Sequence, residues 1–358
     1  MKKARFWIGL LISLIALAFA FRQVNFVEVW AALTGVNYWL LAASLVPLLL
    51  FLILRAFRWR LLFYPKRGLR IRNLFAVINI GYLFSNIFPA RLGDVARAYL
   101  IGDTEQVSRA SAFSTIVAER VLDALCAVGG VLLVLPFVPL PEWMVRSGLI
   151  VGAVALVAVA LFVVLVRRQS WTLRFLDRLL GAVHWPDRET MAVFWGRLAQ
   201  RSRLRFLAGL PWADRSEVGQ VAASFIGGFS GITTLRLGPP LVLWSIAIWG
   251  VISAYYWVVL LAFDATQPFV AGLAVCSVTA LGMTIPSSPG FIGVFEFLAR
   301  ETMVLFGMEP EAALSYALVA HAIVYVVYTL LGLVSMFQQN LTYTEIQKRI
   351  SAEAGTSS

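Results

Sequence analysis

Apolar positions in this chain fall in long runs rather than in short amphipathic patterns. A helix needs about 20 apolar residues to cross a hydrocarbon layer of about 30 Å. Runs of that kind occupy 5–21, 38–57, 109–135, 147–166, 217–236, 240–263 and 311–337. Two further stretches are shorter and interrupted. Leu74–Phe88 contains Asn79, Ser85 and Asn86 and ends at Pro89. Phe269–Ile285 contains Gly272, Ser277, Thr279, Gly282 and Thr284 and runs into Pro286-Ser287-Ser288-Pro289-Gly290. Each is followed by a short helical segment, at 94–101 and 293–306. Irregular backbone at membrane depth is tolerated only where protein or a wet cavity covers it. The pattern therefore predicts an all-α polytopic membrane protein with about seven transmembrane helices and two re-entrant broken hairpins.

The same pattern recurs along the chain. Pro89-x-x-x-Gly93 returns as Pro289-x-x-x-Gly293, and Val117-Ala118-Glu119 as Val319-Ala320-His321. Ala110 matches Ala312, Gly130 matches Gly332, and the spans at 38–57 and 240–263 fall at a similar offset. Two related halves are expected, a first membrane repeat over 1–140 and a second over 217–340. A linking helix with a basic loop at 141–216 joins them, and a polar tail at 341–358 follows. Counting crossings gives parallel halves with the C-terminus outside, which Lys348 and Arg349 in the tail oppose.

Composition agrees with this class. The chain has 358 residues, 60% hydrophobic and 14% charged, with mean hydropathy +0.82; soluble domains carry roughly 25% charged residues. Net charge is +11. A soluble protein so basic suggests nucleic acid as a partner, but here the basic residues lie between apolar runs, which points instead to orientation in an anionic membrane. The loop Arg55–Arg72 has seven basic residues and no acid, and 167–216 has ten arginines against four acids. The opposite loops, 22–37 and 136–146, are poor in charge. The N-terminus and both basic loops are thus expected in the cytoplasm, in a bacterial or archaeal inner membrane. Phe194, Trp195, Leu198, Phe206 and Leu207 alternate with arginines, as on a surface-lying helix or in a solvated loop. No small-x-small cleavage site follows the first run, so it is read as a retained span. Cys126 and Cys276 lie in apolar segments without a CxxC, so no disulfide or metal site is expected, and no motif calls for a cofactor.

Charges inside the apolar runs carry the candidate chemistry. Asp94 follows Gly93 where a short helix begins, a position suited to an N-cap. Arg97 is one turn further and Arg91 lies in the break. Helix-start N–H groups and two guanidiniums suit a phosphate, or Asp94 caps while the arginines reach headgroups. Glu119, Arg120 and Asp123 lie within five residues of the run 109–135. Glu119 and Asp123 share a face, and Arg120 is spaced to pair with Asp123. Each charge at mid-bilayer costs about 2.5–3.5 kcal/mol, so this group implies a protein interior or wet cavity; a structural ion-pair network is the alternative. In Pro289-Gly290-Phe291-Ile292-Gly293-Val294-Phe295-Glu296 the glycines permit close backbone approach. Glu296 falls in a first helical turn, where the dipole favours a carboxylate. His321, in the last run, serves either packing or proton transfer.

Together, P-x-R-x-G-D-x-x-R, E-R-x-x-D and P-G-x-x-G-x-x-E resemble the transmembrane region of lysylphosphatidylglycerol synthases and the related stand-alone flippase-like proteins. The resemblance covers about residues 5–340. Asp94 stands where the family commonly has Glu, and Phe291 where a second Gly is common. Eighteen residues follow 340, so the family's soluble aminoacyl-transferase domain and lipid aminoacylation are not expected. The resemblance implies movement of an anionic or glycosylated lipid between leaflets, not an enzyme. Arg91, Arg97 and Arg120 would hold the phosphate of an anionic phospholipid or polyprenyl-phosphate-linked lipid. Asp94, Glu119, Asp123 and Glu296 would order those arginines, with Gly93, Pro289, Gly290 and Gly293 shaping the site. No Walker motif occurs, so movement would run downhill or couple to protons through Glu119, Asp123 or His321. The rivals are a polyprenyl-phosphate-dependent glycosyltransferase and a non-catalytic subunit of a lipid-modifying enzyme. The first expects an acid in the loop after the first span, where only Glu28 lies.

Overall fold

Asn37 starts the first long helix: its side-chain oxygen accepts the N–H groups of Trp39 and Leu40 at 3.0 and 3.3 Å, satisfying donors that a helix start leaves open. This computed structural model describes residues 14–20, 26–66, 68–88, 92–138, 235–284 and 287–339, with scattered positions in 142–168 and 223–228. The elements are α1 (Phe26–Thr34), α2 (Tyr38–Leu62), α3 (Ile71–Ile87), α4 (Leu92–Glu105) and α5 (Arg109–Val134). They continue with α6 (Gly238–Ala262), α7 (Phe269–Gly282), α8 (Val294–Leu305) and α9 (Pro310–Gln338), plus 3-10 turns at Leu235–Leu237 and Pro289–Phe291. Among the described residues every element is helical, and the chain is a multi-pass membrane protein. Pro89, Arg91, the basic loop 167–216 and most of the runs at 5–21, 147–166 and 217–236 lie outside the described residues.

Helices α2, α6 and α9 are long and apolar enough to cross a membrane. At 1.5 Å per residue they span about 38–44 Å. The run 109–135 becomes α5, 26 residues long but interrupted by Glu119, Arg120 and Asp123. Helices α3, α4, α7 and α8 have 17, 14, 14 and 12 residues, so about 18–26 Å each, less than the hydrocarbon thickness. The loop 22–37 contains a helix, α1. The expected loop Arg55–Arg72 is also corrected: α2 runs on to Leu62 and carries Arg55, Arg58 and Arg60. Apolar residues continue between those arginines, and Tyr64-Pro65 is the real stop.

One order, long helix, two short helices, long helix, occurs in 38–134 and again in 238–338. Helix α2 packs on α6, and α9 packs on α3 as α5 packs on α7. The last two crossings share a device. A Cβ on Gly332 of α9 would stand 2.8 Å from the Asn79 carbonyl and 2.4 Å from Leu83 Cβ on α3. A Cβ on Gly130 of α5 would meet Ser277 and Leu273 on α7. Small residues let membrane helices approach closely where no water-driven force joins them. One apolar core lies around α6, α7 and α9, with Trp249, Tyr255 and Tyr316, and another around α2, α3 and α5, with Trp59 and Ile78.

Gly332→Ala therefore lowers the thermal midpoint in detergent, because a backbone carbonyl bars the new methyl group. Gly129→Ala, whose methyl meets nothing within 4 Å, leaves the midpoint unchanged or raises it through helix propensity, by roughly 0.5–1 kcal/mol. Equal behaviour of the two variants contradicts the close crossing.

Candidate functional site

Four short stretches of chain converge between α2, α4, α5 and α6. Helix α2 presents Arg55 and Arg58 one turn apart, buried to 6% and 0% exposure. Arg55 pairs with Glu119 and, at 3.1 Å, with Asp123. Arg58 holds Asp123 at 2.6 Å, lies 3.7 Å from Glu119, and donates to Ser245 of α6 at 3.2 Å. From α4, Arg97 reaches the other oxygen of Glu119 at 2.7 Å. Glu119 is fully buried and accepts hydrogen bonds from Arg55 and Arg97. Arg120 grips Asp94 of α4 with two bonds, at 3.1 and 2.6 Å. Its side chain is 35% exposed, so this pair forms the open edge of the network.

The arginines are held by aromatic and glycine surfaces. Arg97 lies 4.3 Å from the centre of the Trp59 ring, a cation–π contact, and Trp59 Nε1 donates to Thr115. On its other side Arg97 crosses Gly81, where a Cβ would stand 2.5 Å from Cγ. Gly93 sits so close to α3 that its Cβ would fall 2.0 Å from the Gly81 carbonyl oxygen. Gly93 thus sets the α3–α4 approach. Arg55 stands 5.4 Å from Phe51 and 5.8 Å from Tyr82.

Four guanidiniums against three carboxylates leave this network one net positive charge. The Nε–H groups of Arg55, Arg58 and Arg97 have no acceptor among the described residues. Buried donors of that kind are costly unless something accepts from them.

A second group lies at the other break. Gly290 and Gly293 have φ of +68° and +92°, and Phe291 +60°. At Gly290 a Cβ would meet the Tyr325 ring at 2.7 Å. Glu296, the third residue of α8, accepts from Gly293 N–H at 2.6 Å and meets His321 Nδ1 at 2.6 Å. The Phe295 and His321 rings lie 4.4 Å apart. Asn86, near the end of α3, donates to the Tyr325 carbonyl and to Thr329 of α9, both at 3.2 Å. The end of α3 and the turn Pro289–Phe291 therefore meet beside α9.

A family model described as the lysylphosphatidylglycerol synthase TM region matches residues 6–332. The chain belongs to that family. Among relatives in known proteins, Glycosyltransferase AglD of Haloferax volcanii is 28% identical over 361 residues, covering 94% of this chain and 54% of that protein. A UPF0104 membrane protein of Methanothermobacter thermautotrophicus is 29% identical over 100 residues, 26% of this chain and 29% of its own length. Another UPF0104 membrane protein, from Methanocaldococcus jannaschii, is 32% identical over 88 residues, 24% of this chain and 26% of its own. The chain spans about half the length of the first relative and the match covers less of the others. No solved structure matches. The expectation that this lysylphosphatidylglycerol synthase TM-region protein is not an enzyme is corrected. A relative matched along 94% of it bears a glycosyltransferase name, so absence of catalysis does not follow from its motifs.

Of the residues the sequence singled out, Asp94, Arg97, Glu119, Arg120 and Asp123 come together, while Glu296, His321, Gly290 and Gly293 form the second group. Pro289 opens the 3-10 turn there. Two details differ from expectation. Arg120 pairs with Asp94 rather than Asp123, because Asp123 faces the two arginines of α2. Asp94 is the third residue of α4, not its cap, since the helix begins at Leu92. Arg55 and Arg58 were assigned to a loop, and the family motifs do not include them. Their three-residue spacing inside a continuing apolar run was the available signal.

Arg58→Ala removes the closer of the two cations on Asp123, leaving it Arg55 alone, and costs up to about 3–5 kcal/mol, read as a lower melting temperature. Arg58→Ala/Asp123→Ala recovers part of that loss. Arg120→Ala, at the exposed edge, costs less than Arg58→Ala. A double variant no more stable than Arg58→Ala contradicts the assigned pairing.

Proposed function

We propose that this chain binds the phosphate of a lipid-linked substrate at the arginine network and takes part in glycosyl transfer involving that lipid. The observation that carries the reading is the net positive charge of the network, with three guanidinium N–H donors that find no acceptor among the described residues. Arginine grips phosphate through charge-assisted, frequently bidentate bonds. Asp94, Glu119 and Asp123 each hold an arginine, so the chemistry this site offers is charge placed to hold and present a phosphate. The name of the Haloferax volcanii relative favours glycosyl transfer, and a polyprenyl-phosphate carrier fits a site inside a membrane protein. The substrate sugar and the rest of the transfer machinery are not specified by these residues. The cytoplasmic membrane, with the N-terminus and the basic loops inside, is the setting we propose.

A second reading is favoured by a separate observation. Four helices shorter than the membrane lie around the end of α3 and the turn Pro289–Phe291, which meet at Asn86, Gly290 and Tyr325. Broken helices at a repeat interface are used by transporters to reach a site from both sides, so passage of the same lipid between leaflets is compatible with this geometry. Both readings place the phosphate on the same arginines.

Reconstituted protein is expected to bind a polyprenyl phosphate in preference to the corresponding alcohol, and to support sugar transfer to or from it when donor and acceptor are supplied. Arg97→Gln lowers that affinity about tenfold or more, since a hydrogen bond involving a charged group contributes about 1.5–3 kcal/mol. Equal binding of phosphate and alcohol contradicts the phosphate site. Binding without any sugar transfer, together with lipid movement between leaflets, selects the second reading.

A further inference from the structure

Two acid–cation pairs occupy matching places. Asp94 is the third residue of α4, and its partner Arg120 lies 26 residues on, in the long helix α5. Glu296 is the third residue of α8, and its partner His321 lies 25 residues on, in the long helix α9. The first pair contains a cation that never loses its proton. The second contains the one side chain whose ordinary titration falls near neutrality. We infer that Glu296 and His321 form a proton-binding site, and that a proton there strengthens binding of a phosphate-bearing lipid at the arginine network.

This inference rests on the phosphate site proposed above and adds a second ligand, the proton. With His321 protonated the pair is neutral overall. With His321 neutral the Glu296 carboxylate adds a net negative charge that opposes an incoming anion. Contacts along α9 join the two places. His321, Tyr325 and Tyr328 follow at spacings of four and three, on one face of the helix, so the first and last lie about 10 Å apart along its axis. The His321 and Tyr325 ring centres are 6.4 Å apart. Tyr328 stacks on Tyr82 at 4.2 Å, and the Arg55 guanidinium lies 5.8 Å from the Tyr82 ring. Arg55 in turn holds Glu119 and Asp123.

Among the described residues, the surroundings of His321 leave Glu296 as its charged partner. Helix α8 contributes Phe295 beside Glu296, while Arg300 and Glu301 pair with each other. From α3 come Asn86, bonded to the Tyr325 carbonyl, and Tyr82. Tyr255 of α6 donates to the Ala320 carbonyl at 2.6 Å, and Tyr256 stacks on Phe295. Helix α1 meets α9 where Ser315 donates to the Val29 carbonyl. The other charged groups on these elements are Glu28, Arg72 and Glu311, each in the first turn of its helix. Because an effect of the proton on the anion is reciprocal, anion binding draws a proton into the site.

The chain has two histidines, His184 and His321, so His184→Gln leaves His321 as the sole imidazole reporter. The test uses the full chain in phosphatidylcholine nanodiscs, with phosphatidylglycerol as the anionic probe, because its phosphodiester keeps one negative charge across the range studied. The ring nitrogen signals of His321 are expected to change when the pH is varied, reporting the bound proton. Phosphatidylglycerol is expected to bind about fivefold or more tightly at about pH 6 than at about pH 8, with net proton uptake. His321→Gln gives weak binding at both pH values. His321→Arg, which copies the permanent cation of the first pair, gives tight binding at both. Histidine signals that ignore pH overturn the proton site. Unchanged pH dependence in both variants, or binding that is flat in the parent protein, overturns the coupling and leaves the phosphate site standing. Absence of phosphatidylglycerol binding at either pH contradicts the phosphate site and the coupling together. Equal loss in His321→Gln and His321→Arg assigns His321 to packing and overturns the inference.

Discussion

Holding seven charged side chains together within one membrane protein, most of them buried, is possible here because each carboxylate is paired across helices rather than left to its own. A charge taken from water into a medium of low dielectric loses several kcal/mol of solvation, and only close opposite charges and hydrogen bonds offset that loss. Glu119, fully buried on α5, meets that condition by taking Arg55 from α2 and Arg97 from α4. Asp123 takes Arg55 and Arg58 from α2, and Asp94 takes Arg120 across from α5. Three helices are therefore tied through one set of ion pairs. A shift of any of them leaves a charge uncompensated, and the direction of α2 past residue 57 follows from the same requirement.

The network is also unbalanced. An isolated structural ion-pair cluster is most stable when charges cancel and every donor has an acceptor. Among the described residues this one carries an extra guanidinium and three Nε–H groups without acceptors. That imbalance costs stability, and an anion, as proposed above, would offset it. The same argument explains why Gly81 and Trp59 matter: they fix Arg97 flat against α3, where its charge faces Glu119 instead of solvent. On the function proposed above, stability and binding draw on the same residues, so substitutions there affect both. The charge-balanced double variants are the informative ones.

Much of this architecture was legible in the residues. Apolar run lengths located α2, α5, α6 and α9, and the Pro-Gly breaks located the ends of α3 and α7. The buried run Glu119-Arg120-Val121-Leu122-Asp123 identified its own site through the cost of charge in hydrocarbon. Arg55 and Arg58 were not legible for the opposite reason. Placed next to Arg60, Lys66 and Arg67, they read as a cytoplasmic cluster, because the positive-inside rule weighs charge without regard to helical phase. Partner choice was also hidden. Sequence spacing offers Arg120 a neighbour at Asp123, but side-chain direction sends it to Asp94 on the next helix, a contact 26 positions away. The motifs also carried no sign of glycosyl transfer, which is the name that a relative matched along 94% of this chain bears.

The account depends on a lipid phosphate lying against these guanidiniums. The most direct measurement is a solid-state magnetic resonance experiment on protein labelled with nitrogen-15 at arginine, reconstituted with a polyprenyl phosphate. It reads the dipolar coupling between lipid phosphorus and arginine side-chain nitrogens. The account predicts strong phosphorus–nitrogen dephasing in the parent protein that falls sharply in Arg97→Gln, whose remaining surface arginines are unchanged. Dephasing of equal strength in both proteins would mean that the lipid touches only exposed arginines, and would contradict the buried network as the binding site.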